Sequence, residues 1–219
     1  MVAGFIKVIG DIDQRRLGQL LQNLCGLQVQ VLTLLFVLPL SFVLPVLSLP
    51  AGGIPPVGVT IDDVYRATYQ RVLERNRRYH QRYPEDAQRL AEIAAYLQAH
   101  DVRLPGGSRL TVPVLQLLGL GFGFSDGMEP VHYLLEEAFI SGPAGRELSY
   151  PVLRGVEHAL PCEAHPIFSF LHEAIYTESC ASHWSAERVR AEFPAFDAER
   201  QQPFHFTGEM IFPWMFETF

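Results

Sequence analysis

The sequence predicts a mainly α-helical domain, and three observations predict it. Beyond Thr60 the chain becomes dense in charge and its apolar residues recur at helical spacing. Cap residues and prolines stand where helices should begin. Nowhere does this part alternate strand and helix patterns as a parallel sheet requires.

Thr60 reads as an N-cap, with Asp62 and Asp63 in the first turn, where negative charge suits the helix dipole. The helix it opens should run to about Arg82, with Tyr65, Tyr69, Val72 and Tyr79 as its apolar stripe. Pro84 opens a second helix, because a first-turn proline gives up only an N–H that has no helical partner; Leu90, Ile93, Ala94 and Leu97 form its face. The turn Leu104–Gly107 closes this helical hairpin. A third helical piece is expected near Val112 to Leu118, although Val114 to Gly123 also reads as a strand. A fourth covers Glu129 to Phe139, with Val131, Leu134, Leu135 and Ala138 on one face. Ile167 to Tyr176 and Ser185 to Phe193 complete the set, the last with Ser185 as its cap.

The 219 residues suffice to bury a core, and a hydrophobic share of 48% fits a globular chain. The net charge of -7 argues against a nucleic-acid partner, since phosphate-binding surfaces carry a basic excess. Cys25, Cys162 and Cys180 are odd in number and far apart. They form neither a disulfide framework nor a CxxC pair, which points to a reducing, cytoplasmic compartment.

The first 50 residues have a different texture. From Leu17 to Val59 there is no Asp, Glu, Lys or Arg. The run from Val29 to Leu49 is long enough to cross a bilayer, but Pro39 and Pro45 interrupt it, Pro50 follows, and Gln28 and Gln30 sit at its start, so a membrane segment is not expected. Remnant buried-strand sequence and mis-framed coding sequence are the other readings.

Eight phrases carry a family resemblance. They are GGIPP at Gly52–Pro56, the stretch Asp62–Asp86, HDVRLPGGSRLTV at His100–Val112, HYLLEEAF at His132–Phe139, LRGVEHAL at Leu153–Leu160, LHEAIY at Leu171–Tyr176, WSAERVRAEFP at Trp184–Pro194 and FTGEMIFPWMFE at Phe206–Glu217. In this order they resemble the larger class of proline iminopeptidases, serine peptidases of the α/β-hydrolase superfamily, and specifically their helical cap. The resemblance implies three parts: an apolar segment at residues 1–50, a cap at 51–205, and the start of the return to the hydrolase domain at 206–219. It also implies that most of the hydrolase sheet is absent. A serine elbow should precede GGIPP, and none is legible there; the triad Asp and His would lie beyond Phe219. The expectation is a truncated or mis-framed form that is inactive alone, acting on peptides with an N-terminal proline only as part of a complete enzyme.

The same resemblance assigns Glu173 and Glu209 to the substrate's cationic N-terminus, and Tyr176, Phe212 and Trp214, with Phe206, to an apolar recess for the proline ring. Related enzymes carry a tryptophan where this chain has His172. No catalytic residue, metal or organic cofactor is expected in the chain. The one literal GxSxG, Gly123–Gly127, reads as a loop before a helix rather than an elbow, because Gly119, Gly121 and Gly123 would weaken a central strand. His158, His165 and His172 are spaced by seven, but Pro161 and Pro166 interrupt any shared helix, and no HExxH is present. A non-catalytic helical interaction module, membrane-anchored through residues 29–49, is the alternative function, and an esterase built on Ser125 is a third. A cap separated from its catalytic domain would expose an apolar face, so self-association is expected.

Overall fold

The computed structural model describes residues 56–142, 145–160, 166–177, 179–197 and 202–218. The apolar run at 29–49 lies outside them. Among the described residues no helix is long and apolar enough to cross a membrane.

The fold is mainly helical. α1 (Ile61–Arg82) begins where the sequence predicts, with Thr60 Oγ1 accepting from Asp63 N at 3.2 Å. Its Tyr65, Tyr69 and Tyr79 are buried, which realises the aromatic stripe. α2 (Asp86–Ala99) follows Pro84 and buries Leu90, Ile93, Ala94 and Leu97. Leu104–Gly107 then turns, but between strands: β1 (Val102–Arg103) pairs antiparallel with β2 (Arg109–Leu110), with Gly107 at φ 101°. α3 (Val112–Gln116) runs into a 3₁₀ segment, Leu117–Gly123. The strand reading of Val114–Gly123 is thereby overturned. Thr111 supplies the cap and Pro113 the first turn, so the backbone enters this stretch already helical.

α4 (Met128–Glu136) ends three residues before Phe139. Phe139 instead opens β3 (Phe139–Gly142), which pairs antiparallel with β4 (Gly145–Leu148). The apolar Ala138 and Phe139 extended the helical pattern in sequence, yet the β3–β4 hairpin takes them. α5 (Tyr150–Ala159) is capped by Ser149. The helix expected over Ile167–Tyr176 is in fact α6 (Pro166–Leu171), a turn at His172–Glu173, and a 3₁₀ turn at Ala174–Tyr176. α7 (Ser185–Arg190) is shorter than expected, and Ser185 is not its cap: Trp184, with φ 58°, holds that position. The Ser185 hydroxyl donates to Asp62 instead. Short pieces at Pro194–Phe196 and α8 (Met215–Thr218) complete the fold.

Segment 204–212 is non-helical and lies in the core. Asn76 on α1 donates to Phe206 O at 2.9 Å and accepts from Phe206 N at 2.7 Å. Gln116 on α3 donates to Phe196 O at 3.0 Å and to His205 O at 2.8 Å, and its own carbonyl accepts from Thr207 N at 2.9 Å. Two buried amide side chains thus serve a strand-like segment that has no sheet, as buried backbone groups require. The approach is close: a Cβ on Gly119 would stand 2.0 Å from Thr207 O, and one on Gly208 2.5 Å from Val72 Cγ2. Glycine at both positions lets the segment settle against the helices and deliver Glu209.

Candidate functional site

The turn that breaks the expected Ile167–Tyr176 helix carries the site. His172 and Glu173 are both buried there. Glu173 Oε1 accepts from Ala186 N at 2.9 Å, which ties the turn to the first residues of α7. Its other oxygen, Oε2, is buried with no hydrogen-bond partner. Burial pushes the Glu173 carboxyl above its ordinary range; the Ser182 hydroxyl, the Ala186 and Ser185 backbone and the Arg188 charge oppose that rise.

α7 is itself held from α1. Tyr69 donates its hydroxyl to Ala186 O at 2.9 Å, and Arg188 and Ser185 both meet Asp62. The loop before α7 contains Ser179, His183 and Trp184 at positive φ, a conformation that costs non-glycine residues on the order of 1–3 kcal/mol. Arg188 holds this loop by donating to Ser182 O at 2.7 Å and to His183 O.

Tyr65, on the face of α1 turned to this turn, is buried, and its hydroxyl likewise has no partner. Burial pushes the phenol far upward, and the charges of Glu173 and Glu209 add to the shift. The Tyr65 and Tyr176 rings meet edge to face, with centroids 6.4 Å apart. Tyr176 is half-buried, and its phenol is raised by burial and by Glu209. Glu209 stands at the rim with its side chain 55% exposed, its Oε1 3.8 Å from His172 Nδ1.

Of the residues picked from the sequence, Glu173, Tyr176 and Glu209 therefore come together. Phe212 is buried and stacks on Trp214 with centroids 5.8 Å apart, and the Arg190 guanidinium lies 5.5 Å from the Phe212 ring centre. Phe206 is also core, packed on Tyr79 and Phe122. Tyr176 and Phe168 pack on the His172 ring, and Tyr65 meets Tyr176 edge to face. The sequence reading missed Tyr65 and His172 as site residues. Tyr65 was visible only as one member of a helical stripe, and nothing local sets its hydroxyl apart from those of Tyr69 and Tyr79, which do find partners.

Ser125 lies in an exposed turn after the 3₁₀ segment and beside the exposed Phe124; no buried strand leads into it. The strand–turn–helix setting of a nucleophile elbow is therefore missing at Gly123–Gly127. Among the described residues no three His, Cys, Asp or Glu side chains gather to hold a metal ion.

An unpartnered buried carboxylate oxygen, an unpartnered buried phenol and a second, exposed carboxylate thus stand around the His172–Glu173 turn, with Tyr176 and Phe168 packed on His172. Such a grouping suits a small cation bearing N–H donors and an apolar body.

No family model matches the chain. Curated relatives do. One named proline iminopeptidase, from Aeromonas sobria, is 53% identical over 169 residues, which is 77% of this chain and 39% of the relative. Another, proline iminopeptidase aneH from Aspergillus aculeatus, is 33% identical over 169 residues, 77% of this chain and 37% of the relative. The chain thus spans about two-fifths of the length of these relatives.

Proposed function

We infer that this chain, a homologue of the proline iminopeptidases, carries the part of such a peptidase that grips the free N-terminus of a prolyl peptide. One observation carries the reading: Glu173 is a buried carboxylate with one oxygen unpartnered. Leaving a buried polar group without a bond costs about 1–3 kcal/mol, and more for a charge. A substrate ammonium removes that cost by donating to Oε2, and the pair strengthens as water leaves. Glu209 adds a second negative charge at the rim, and Tyr65 and Tyr176 flank the apolar ring.

Residues 51–205 are the helical cap in this proposal, and 206–219 begin the return to the catalytic domain. The reaction is acyl transfer at the carbonyl following proline, with serine attacking, histidine moving the proton and backbone donors holding the oxyanion. The 219 residues supply the grip on the substrate and not those reacting groups, so the chain binds prolyl N-termini but does not turn them over. A cytoplasmic setting belongs to the same reading. So does self-association through the apolar rim, where Ile167 and Ile175 are exposed.

The test is binding of L-prolinamide to the full 219-residue chain by calorimetry, alongside hydrolysis of a proline arylamide. Saturable binding that is lost in Glu173→Gln, with no hydrolysis, is the expected result. Hydrolysis abolished by Ser125→Ala would establish Ser125 as a nucleophile and overturn the proposal. Absence of binding would leave the non-catalytic interaction module as the better account.

A further inference from the structure

We propose that His172 is the positioning residue of Glu209, offering the Glu209 carboxylate to a ligand when its ring is neutral and closing it off when the ring is protonated. The inference rests on the reading of Glu209 as part of the substrate grip.

The geometry is unusual in that both ring nitrogens of one histidine face the same residue. His172 Nε2 lies 3.2 Å from Glu209 O, and Nδ1 lies 3.8 Å from Glu209 Oε1. A carbonyl oxygen only accepts, so Nε2 carries the proton in the neutral ring. Nδ1 then carries no proton, 3.8 Å from Glu209 Oε1. Two acceptors facing each other do not bond, so Glu209 Oε1 stays available to a donor from outside. Protonation puts an N–H and a positive charge on the ring; the exposed Glu209 side chain closes the 3.8 Å gap to accept from Nδ1, and its charge is offset before it can attract a cationic ligand.

The ring cannot swing away from this choice. His172 is buried, held between Phe168 on α6, with centroids 4.7 Å apart, and Tyr176 on the following 3₁₀ turn, with centroids 5.5 Å apart. The titratable groups around it are Glu209 from the 204–212 segment, Tyr176, the adjacent Glu173 and, beyond the Tyr176 ring, Tyr65 from α1. Burial holds the imidazole below its ordinary range, and Glu209 restores part of the loss. The ring is therefore neutral, and Glu209 open, at neutral pH. The gate closes on acidification, through a window below the ordinary histidine value of 6.5. By linkage, a cation bound at Glu209 makes the ring harder to protonate to the same extent that protonation weakens the cation's binding.

Two measurements on the full chain test this. In the ligand-free protein, NMR titration of the His172 ring should give a lower pKa in Glu209→Gln than in wild type; an unchanged value overturns the coupling. L-Prolinamide, whose amine stays charged throughout, should then lose affinity between pH 7 and pH 5 about tenfold more in wild type than in His172→Gln. The glutamine keeps a donor for Glu209 O but cannot charge, so its residual loss reports the rest of the site without the His172 ring. Equal losses in the two proteins overturn the gate while leaving the substrate grip in place. Wild-type protein that binds no prolinamide at any pH overturns the grip and the gate together.

Discussion

Asn76 holds Phe206 by both ends of its amide, donating to the carbonyl at 2.9 Å and accepting from the N–H at 2.7 Å. The pair is 130 residues apart in sequence and stands in for the neighbouring strand that segment 204–212 lacks. Asn76→Ala leaves two buried backbone groups of Phe206 unpaired. Each costs on the order of 1–3 kcal/mol. The variant should therefore lose about 3 kcal/mol of stability, read as a lower urea midpoint at unchanged slope. A loss below about 0.5 kcal/mol would mean that water replaces the amide, a bridge that recovers most of a direct bond.

Glu173 makes the site's stability depend on pH. Its folded carboxyl is raised above the ordinary value near 4.5. A raised carboxyl binds its proton more tightly in the folded state, so its contribution to stability is complete below the unfolded value. That contribution is lost as pH rises through the folded one. Glu173→Gln keeps an oxygen for the Ala186 N–H and never ionises. The variant should match wild type near pH 4 and become relatively more stable toward pH 8, in thermal melts across that range. A wild-type advantage that grew with pH would show that the ionised carboxylate is better satisfied than its buried position indicates.

The course of α1 and α2 was legible because each is decided largely locally: Thr60 caps α1, and the tyrosines and leucines repeat at helical spacing, although α2 begins only at Asp86, with Glu85 at its cap position and Pro84 before it rather than in its first turn. The break at His172–Glu173 was not legible. Nothing in Ile167–Tyr176 forbids a helix; it ends because Glu173 bonds Ala186 N and His172 meets Glu209, partners 13 and 37 residues away. Ser185 failed as a cap for the same reason, its hydroxyl being drawn to Asp62, 123 residues distant. The two candidate glutamates were named through a resemblance and not through periodicity. Phe212 and Trp214, named with them, stack on each other, and Phe212 is buried in the core, which an aromatic residue serves as readily as a binding site.

Tyr65 and Tyr69 lie one turn apart on α1 and differ in one bond. Tyr69 donates to Ala186 O at 2.9 Å, whereas the buried Tyr65 hydroxyl has no partner. Tyr69→Phe should cost about 1–2 kcal/mol, since it strands a buried carbonyl. Tyr65→Phe should cost nothing measurable in the free protein, because it removes an unsatisfied group of the same shape. If the Tyr65 hydroxyl serves a bound ammonium, the same variant should weaken prolinamide binding about tenfold. Paired melts and calorimetry separate the two residues. A destabilised Tyr65→Phe with unchanged affinity would make that hydroxyl structural.

Asp86 is the most heavily used buried charge in the described residues. It accepts from Tyr79 and from His132 Nδ1, which lies 2.9 Å from its Oδ2, and Arg89 reaches its other oxygen at 2.6 Å. Burial and the Asp86 contact together push the Tyr79 phenol far upward, and the His132 ring stacks on Tyr83 with centroids 3.9 Å apart. The carboxylate thus joins α1, α2 and α4 at one point. Removing one partner of such a cluster costs about 3–5 kcal/mol, because the others are left buried without it. Asp86→Ala should fall in that range. Asp86→Asn, which keeps the shape and one acceptor, should lose less, since Tyr79 retains its bond while Arg89 loses its charge partner. Urea unfolding of the two variants side by side distinguishes a cluster held by charge, where they are equally damaged, from one held by hydrogen-bond geometry, where asparagine recovers most of the loss.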